Sequence, residues 1–194
     1  MTQSTDSFEE IDSAVVRFAG DSGDGMQTVG ERFTDSSAFA GNDIATLPDF
    51  PAEIRAPAGT LAGVSGFQLQ FGNSKILTPG DAPDALVAMN PAALRANISD
   101  LPEGGMLVVN IDSFKSMNLK KAGYESSPLD DEDFRKKYHL IELDLTGLTK
   151  EALKESPLKP SDKVRCKNFF ALGFMCYVYG RPLEPTLTFF EQKW

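Results

Sequence analysis

Histidine and cysteine are scarce in this 194-residue chain: one histidine, His139, and two cysteines, Cys166 and Cys176. A single histidine cannot build a usual zinc site, and no HExxH segment is present. Two thiols do not supply the four ligands of a typical iron–sulfur cluster or Cys₄ zinc site. The cysteines stand ten residues apart on a stretch that reads as a helix, facing different sides, so they are expected to be reduced structural thiols in a reducing compartment. No apolar run approaches the roughly 18 residues of a membrane span, and no signal peptide is recognisable. A soluble cytoplasmic protein without membrane contact is the expectation.

Basic charge is short in the first half only. Residues 1–100 hold 14 acidic and 5 basic side chains, the remainder 14 of each, and the net charge is −9. A nucleic-acid binder carries the opposite sign, which sets that class aside. An anionic ligand would meet a repulsive long-range field here, so local backbone donors and a few placed cations must hold it. The apolar share of 41% and charged share of 24% are ordinary for a globular protein. The length suits one domain that needs no disulfide or metal staple. Residues 1–13 read as a flexible polar leader and 14–194 as a single domain.

The pattern of elements is that of an α/β protein. Ala14 to Ala19 reads as a β-branched strand, Gly20 to Gly25 as a loop, and Met26 to Phe39 as a helix with Gly41 at C′. Asn42 to Gly63, with Pro48, Pro51 and Pro57, reads as a loop-rich stretch long enough to be functional or simply an irregular excursion. Val64 to Phe71 alternates as a strand closed by Gly72-Asn73, and Ala85 to Met89 is a short buried strand. Asn90-Pro91 is an N-cap followed by proline at the first helical position. That helix runs to about Leu101, and Met106 to Ile111 follows as another strand. The strand–helix–strand unit predicts a Rossmann-like open sheet, mostly parallel, flanked by helices. Asp130 to Lys137 reads as a solvated face or loop, and His139 to Leu145 as an edge strand. A helix from about Ser161 to Tyr179 and a last one opening at Glu184-Pro185 make a C-terminal helical segment.

The first strand, glycine loop and helix have the order of an anion cradle. Glycines let the backbone approach a phosphate closely, and the unpaired N–H groups of the first helical turn point at the charge. Gly20, Gly23 and Gly25 are spaced GxxGxG, the reverse of the dinucleotide fingerprint, and no Gly-Lys-Ser/Thr follows for a P-loop. Asp43 and Asp49 stand at distances suited to an acidic ribose partner. Asp21 and Asp24 are awkward beside phosphates; they would accept hydrogen bonds from a ribose, an amide or the loop's own backbone. A plain tight turn is the alternative.

Other chemistries fail on the residues. Gly20-Asp21-Ser22-Gly23 mimics the nucleophile segment of chymotrypsin-like proteases, yet no histidine precedes it, and His139 suits a structural role at a strand start. Glu9-Glu10 and Asp130-Asp131 pair carboxylates without a pocket in view, so they receive no acid–base role. The aromatic tail (Phe169, Phe170, Phe174, Tyr177, Tyr179, Phe189, Phe190 and Trp194) is either core at helical spacing or a docking face.

Several segments resemble one family in order. Arg17 to Gln27 (RFAGDSGDGMQ) resembles the opening of the gamma-type domain of 2-oxoacid:ferredoxin oxidoreductases, and Leu47 to Thr60 (LPDFPAEIRAPAGT) its next signature. Leu77 to Asp84, Ala88 to Leu94, Lys167 to Gly173 and Gly180 to Thr186 continue it. The match spans nearly the whole chain and is most similar to the version at the N-terminus of the 2-oxoglutarate:ferredoxin oxidoreductase alpha subunit.

The resemblance implies a coenzyme A-handling unit. In that family a 2-oxoacid, here expected to be 2-oxoglutarate, is decarboxylated to acyl-CoA and electrons pass to ferredoxin. Thiamine diphosphate, Mg and an iron–sulfur cluster are expected in other domains or subunits, which are the expected partners. Ser22, Gly23, Asp24, Gly25 and Met26 would contact coenzyme A, with Gly20 and Asp21 shaping the turn. Arg55 is expected as a cation near the cofactor, or else in a surface ion pair. Asn90 either caps its helix or faces the crevice, and Asn168 would donate to the cofactor. No catalytic or metal-ligating residue is assigned, and the isolated chain is expected to be inactive. The family's fused subunit continues past the position of Trp194, so an excised or split unit is expected. A stand-alone nucleotide-binding or assembly module is the alternative.

Overall fold

The computed structural model describes residues 9–51 and 63–193. Six strands form one open sheet: β1 (Ser13–Asp21), β2 (Asp43–Asp49), β3 (Val64–Gly72), β4 (Ala85–Ala88), β5 (Met106–Asn110) and β6 (His139–Leu143). Their order is β2-β3-β1-β4-β5-β6. β1, β4, β5 and β6 pair in parallel, and β3 runs antiparallel between β1 and β2. The open, mostly parallel sheet expected from the sequence is thus present, with β6 at an edge.

Alternation along each central strand serves two helical layers. Val16 and Phe18 of β1, Val87 of β4 and Val108 of β5 point to one face, where they meet α1 (Met26–Phe39) and α7 (Lys167–Val178). Ala19, Leu86, Ala88, Leu107 and Val109 point to the other, under α2 (Pro91–Asn97) and near α4 (Glu132–Lys137). Phe33 of α1 is fully buried and meets Phe18 and Phe71 edge-on, at centroid distances of 5.6 and 5.7 Å. Each such pair contributes about 1 kcal/mol beyond its buried area.

Gly30 sets how closely α1 lies on the sheet. A Cβ there would fall 2.1 Å from the Phe67 ring of β3, so only glycine permits this seat. A glycine inside a helix costs about 1 kcal/mol relative to alanine, which the close packing offsets.

The structure corrects several sequence expectations. Part of the loop-rich stretch is strand: β2 pairs with β3 from Asp43↔Gly72 to Asp49↔Gly66. Its Pro48 is tolerated because β2 is an edge strand, where a missing ladder donor can face outward. Residues 52–62 of that stretch lie outside the described residues. The long helix near the C-terminus is two helices, α6 (Pro160–Arg165) and α7, which meet at Cys166. Cys166 N–H turns inward to Lys163 O at 3.1 Å, a tight i−3 bond that closes α6. Leu145 begins α5 (Leu145–Ala152) instead of ending the last strand, because Asp144 caps it through Gly147 N–H at 2.8 Å. The charged stretch before β6 is the exposed helix α4, whose N-cap Asp131 accepts from Asp133 and Phe134 amides.

Short α3 (Ser116–Lys121) packs beside α2, and α8 (Glu184–Lys193) lies on α1. Gly41 has φ +89 just past α1, the position read as C′. Phe169, Phe170 and Phe174 pack against the core while Tyr177 is exposed, so most of the aromatic tail within the described residues faces inward. Both cysteines are free thiols, and burial pushes the Cys176 thiol up to about 11. No helix among the described residues is long and apolar enough to cross a membrane.

Candidate functional site

The loops at the carboxyl ends of the parallel strands surround a cleft of about 300 Å³. Asp21 and Asp24 line it from the β1–α1 turn, Asn90 from the β4–α2 turn, Asn118 and Lys121 from α3, and Lys167 from α7. In open α/β sheets this crevice is where ligands sit.

The β1–α1 turn is built around its own acids. β1 continues to Asp21, two residues further than the strand expected from the sequence. Asp21 N–H donates to Asp24 Oδ2 at 3.1 Å, and Asp24 N–H donates to Asp21 O at 2.9 Å. Asn90 Nδ2 donates to Asp21 Oδ1 at 2.9 Å. The two carboxylates thus accept from an amide side chain and from the loop's backbone, as two of the sequence alternatives foresaw.

Gly25 precedes α1 at φ +72, in the left-handed region that favours glycine, and supplies no capping side chain. Val29 N–H closes the first helical bond onto Gly25 O at 3.0 Å. Among the described residues, the N–H groups of Ser22, Gly23, Gly25, Met26, Gln27 and Thr28 have no acceptor. Ser22 and Gly23 are exposed, whereas Gly25, Gln27 and Thr28 are half-buried. Met26, by contrast, is buried, and its side chain belongs to the core.

Lys167 lines the cleft, while Asn168 and Gln27 pack around the start of α1. Lys167 Nζ lies 3.1 Å from Asp24 Oδ1, with both side chains largely buried. Asn168 packs against Gly25, where an added Cβ would fall 2.6 Å from its Nδ2. Asn168 is 7% exposed; its Oδ1 accepts from Phe169 N–H, and its Nδ2 has no acceptor among the described residues. Gln27 Nε2 lies within 3.0 Å of Asp49 O, Ser65 Oγ and Gly66 O, which ties the start of α1 to β2 and β3.

Charge in the cleft is balanced, two carboxylates against two ammonium groups. Loss of hydration raises the Asp21 carboxyl above its ordinary value, and the neighbouring Asp24 charge adds to the rise. The Asn90 hydrogen bond and the Lys167 and Lys121 charges pull the other way.

Of the residues singled out in the sequence, Asp21, Asp24 and Asn90 line the cleft, Ser22, Gly23 and Gly25 lie on the same turn, Asn168 packs against Gly25, and Met26 turns into the core. Gly20 is buried at the turn, and a Cβ there would meet Asp24 and Met26 at 3.1 Å. Asn90 caps α2 by accepting from Ala93 N–H at 2.8 Å, the capping role expected of it, and also reaches Asp21 on the cleft wall. Arg55 lies outside the described residues. Lys121 and Lys167 were not singled out. Lys167 adjoins Asn168 in a quoted segment, yet nothing in the sequence shows that it reaches Asp24. Among the described residues, no group of three or more His, Cys, Asp or Glu side chains converges as a metal site.

An open, mostly parallel sheet flanked by helices, with a cleft at the carboxyl ends of its parallel strands, defines a Rossmann-like α/β domain. Residues 15–194 match the sequence profile described as pyruvate ferredoxin/flavodoxin oxidoreductase, and the chain belongs to that family. It is 52% identical over 185 residues to the 2-oxoglutarate oxidoreductase subunit KorA of Mycobacterium tuberculosis, covering 95% of this chain and 28% of that protein. The fold is similar to part of the 2-oxoglutarate:ferredoxin oxidoreductase of Magnetococcus marinus, a structure with 2-oxoglutarate, coenzyme A and succinyl-CoA bound. That match has TM-score 0.63 and 24% identity, over 86% of this chain and 24% of the other. The pyruvate oxidoreductase subunit PORC of Thermotoga maritima matches with TM-score 0.61 and 19% identity, over 95% and 86% of the two chains. The gamma subunit of a keto/oxoacid ferredoxin oxidoreductase from Geobacter sulfurreducens matches with TM-score 0.59 and 21% identity, over 89% and 81%. The chain therefore spans about a quarter of the first two relatives and most of the other two.

Proposed function

We propose that this chain is the coenzyme A-handling unit of a 2-oxoglutarate:ferredoxin oxidoreductase, working in a cytoplasmic assembly. The row of unpaired amides at the β1–α1 turn, open beside the cleft, carries the reading. Backbone donors at a helix start suit the diphosphate of coenzyme A, and they need no excess of basic residues in an otherwise acidic chain. The 52% identity to a 2-oxoglutarate oxidoreductase subunit favours that 2-oxoacid. The coenzyme A bound in the Magnetococcus enzyme favours that ligand.

In this reading the unit comprises residues 14–194, and its ligand contacts are Ser22 to Met26 and Asn168. Gly20, Asp21 and Asn90 hold the turn, and Arg55 approaches the ligand as a cation. Decarboxylation of the 2-oxoacid and electron transfer to ferredoxin take place on thiamine diphosphate, Mg and an iron–sulfur cluster held by partner subunits or domains. The chain positions the acyl acceptor and supplies no catalytic group.

Gly23→Val tests the loop assignment. A Cβ at Gly23 meets nothing within 4 Å, so the substitution fills only the space that the ligand would occupy. Calorimetric titration with coenzyme A, on the chain with its co-purifying subunits, should show affinity reduced at least about tenfold. Equal affinity of the two forms sinks the assignment.

A further inference from the structure

The acids in the cleft are a problem for any phosphate ligand, and their geometry suggests how they are handled. Four charges face one another across the cleft from three elements: Asp21 and Asp24 on the β1–α1 turn, Lys121 on α3 and Lys167 on α7. No other charged group lines it among the described residues. Lys167 is committed to Asp24 at 3.1 Å, and Asp21 is held by the neutral amide of Asn90. A phosphate at the open amides would sit beside both carboxylates. Asn168, packed against Gly25 beside the same turn, has an Nδ2 donor without an acceptor among the described residues.

We propose that Lys167 and Lys121 are the phosphate-holding cations of this cleft, that Lys167 exchanges Asp24 for the ligand's phosphate, and that Asp21 takes up one proton in the exchange. This rests on the coenzyme A reading above and deepens it. When the two ammonium charges turn to the phosphate, Asp21 loses the cations that favoured its charged form. Two neighbouring carboxylates beside a phosphate then do best by releasing part of their charge, and one bound proton does so. Asp21 is the acceptor because it lacks a committed cation and lies where desolvation and Asp24 already favour its neutral form. The neutral acid keeps a carbonyl oxygen for Asn90 Nδ2 and gains an O–H donor that a phosphate oxygen can accept.

Proton uptake linked to binding makes affinity rise as pH falls, by at most tenfold per pH unit for one proton. The ligand's phosphates titrate too, so a variant must separate the two sources. Asp21→Asn keeps the acceptor for Asn90 and has no proton to take up. The test is calorimetry of coenzyme A binding at pH 6 and pH 7.5, on the chain with its co-purifying subunits. Buffers of different ionisation enthalpy give the number of protons exchanged. Wild type should take up more protons than Asp21→Asn, approaching one more at the lower pH. Lys167→Gln should bind about tenfold more weakly and erase the excess. If both wild type and Asp21→Asn bind with the same proton count, the exchange is overturned and the coenzyme A reading stands. If wild type does not bind coenzyme A, both are overturned. Should Asp21→Asn fail to fold, Lys167→Gln carries the same comparison, and an unchanged affinity there overturns the exchange.

Discussion

Two helices begin at the carboxyl ends of adjacent parallel strands, and they are finished in opposite ways. The α2 start is largely closed from within, the Ala92 amide alone lacking an acceptor among the described residues. Pro91 has no N–H to satisfy, Asn90 Oδ1 takes the Ala93 amide, and Asn90 O takes the Leu94 amide. The α1 start is left open. Gly25 offers no side chain, no acid stands in the first turn, and three helical N–H groups join three from the loop without an acceptor among the described residues. Side-chain capping thus separates α2 from α1: orphan donors at an uncapped helix start are available to water or to a ligand, and Asn168 Nδ2, without an acceptor among the described residues, packs beside them.

The contrast can be broken most forcefully from beneath. Gly30→Val would drive a branched side chain into the Phe67 ring and lift α1 off β3, moving the open end with it. Thermal unfolding should register a loss of about 3 kcal/mol.

Removing the seal on the other helix has a smaller effect. Asn90→Ala leaves the Ala93 amide uncapped and Asp21 without its donor, and should cost about 1 to 2 kcal/mol in urea unfolding. A negligible change would mean that α2 is as indifferent to its cap as α1, and the contrast would dissolve.

The smallest effect sharpens it. Because the folded-state value of Asp21 lies above the ordinary 3.8, the folded chain holds this proton more firmly than the unfolded one. Its contribution to stability is complete below pH 3.8 and is lost as pH rises through the folded value. Asp21→Asn should therefore flatten the pH profile just above pH 3.8 and raise stability slightly at neutral pH. Parallel profiles for the two proteins would remove Asp21 from the electrostatics of the mouth.

What could be read in advance follows from how local each signal is. The bounds of α1, Met26 to Phe39, and the Asn90-Pro91 start of α2 were legible because caps and glycines act over a few residues. The sheet was legible from alternation and from the strand–helix–strand order. β2 was not, since Pro48 within it and Pro51 just beyond obscure a strand that exists only because β3 pairs with it. The break at Cys166 was not either, because an unbroken helical pattern runs across it. Within the site, the glycine loop declared itself, whereas Lys167 and Lys121 did not. Their part depends on tertiary convergence, and no spacing rule joins Asp24 to a lysine in the last third of the chain.

That long-range join has a consequence for synthesis. β1, the glycine turn and α1 leave the ribosome early, but the residues that meet them, Lys167 and Asn168, leave only after every strand of the sheet has been made. The nascent chain can fold most of its scaffold before it owns a working mouth. A product stopped before α7 would therefore be a sheet whose first turn lacks the two residues that pack against it.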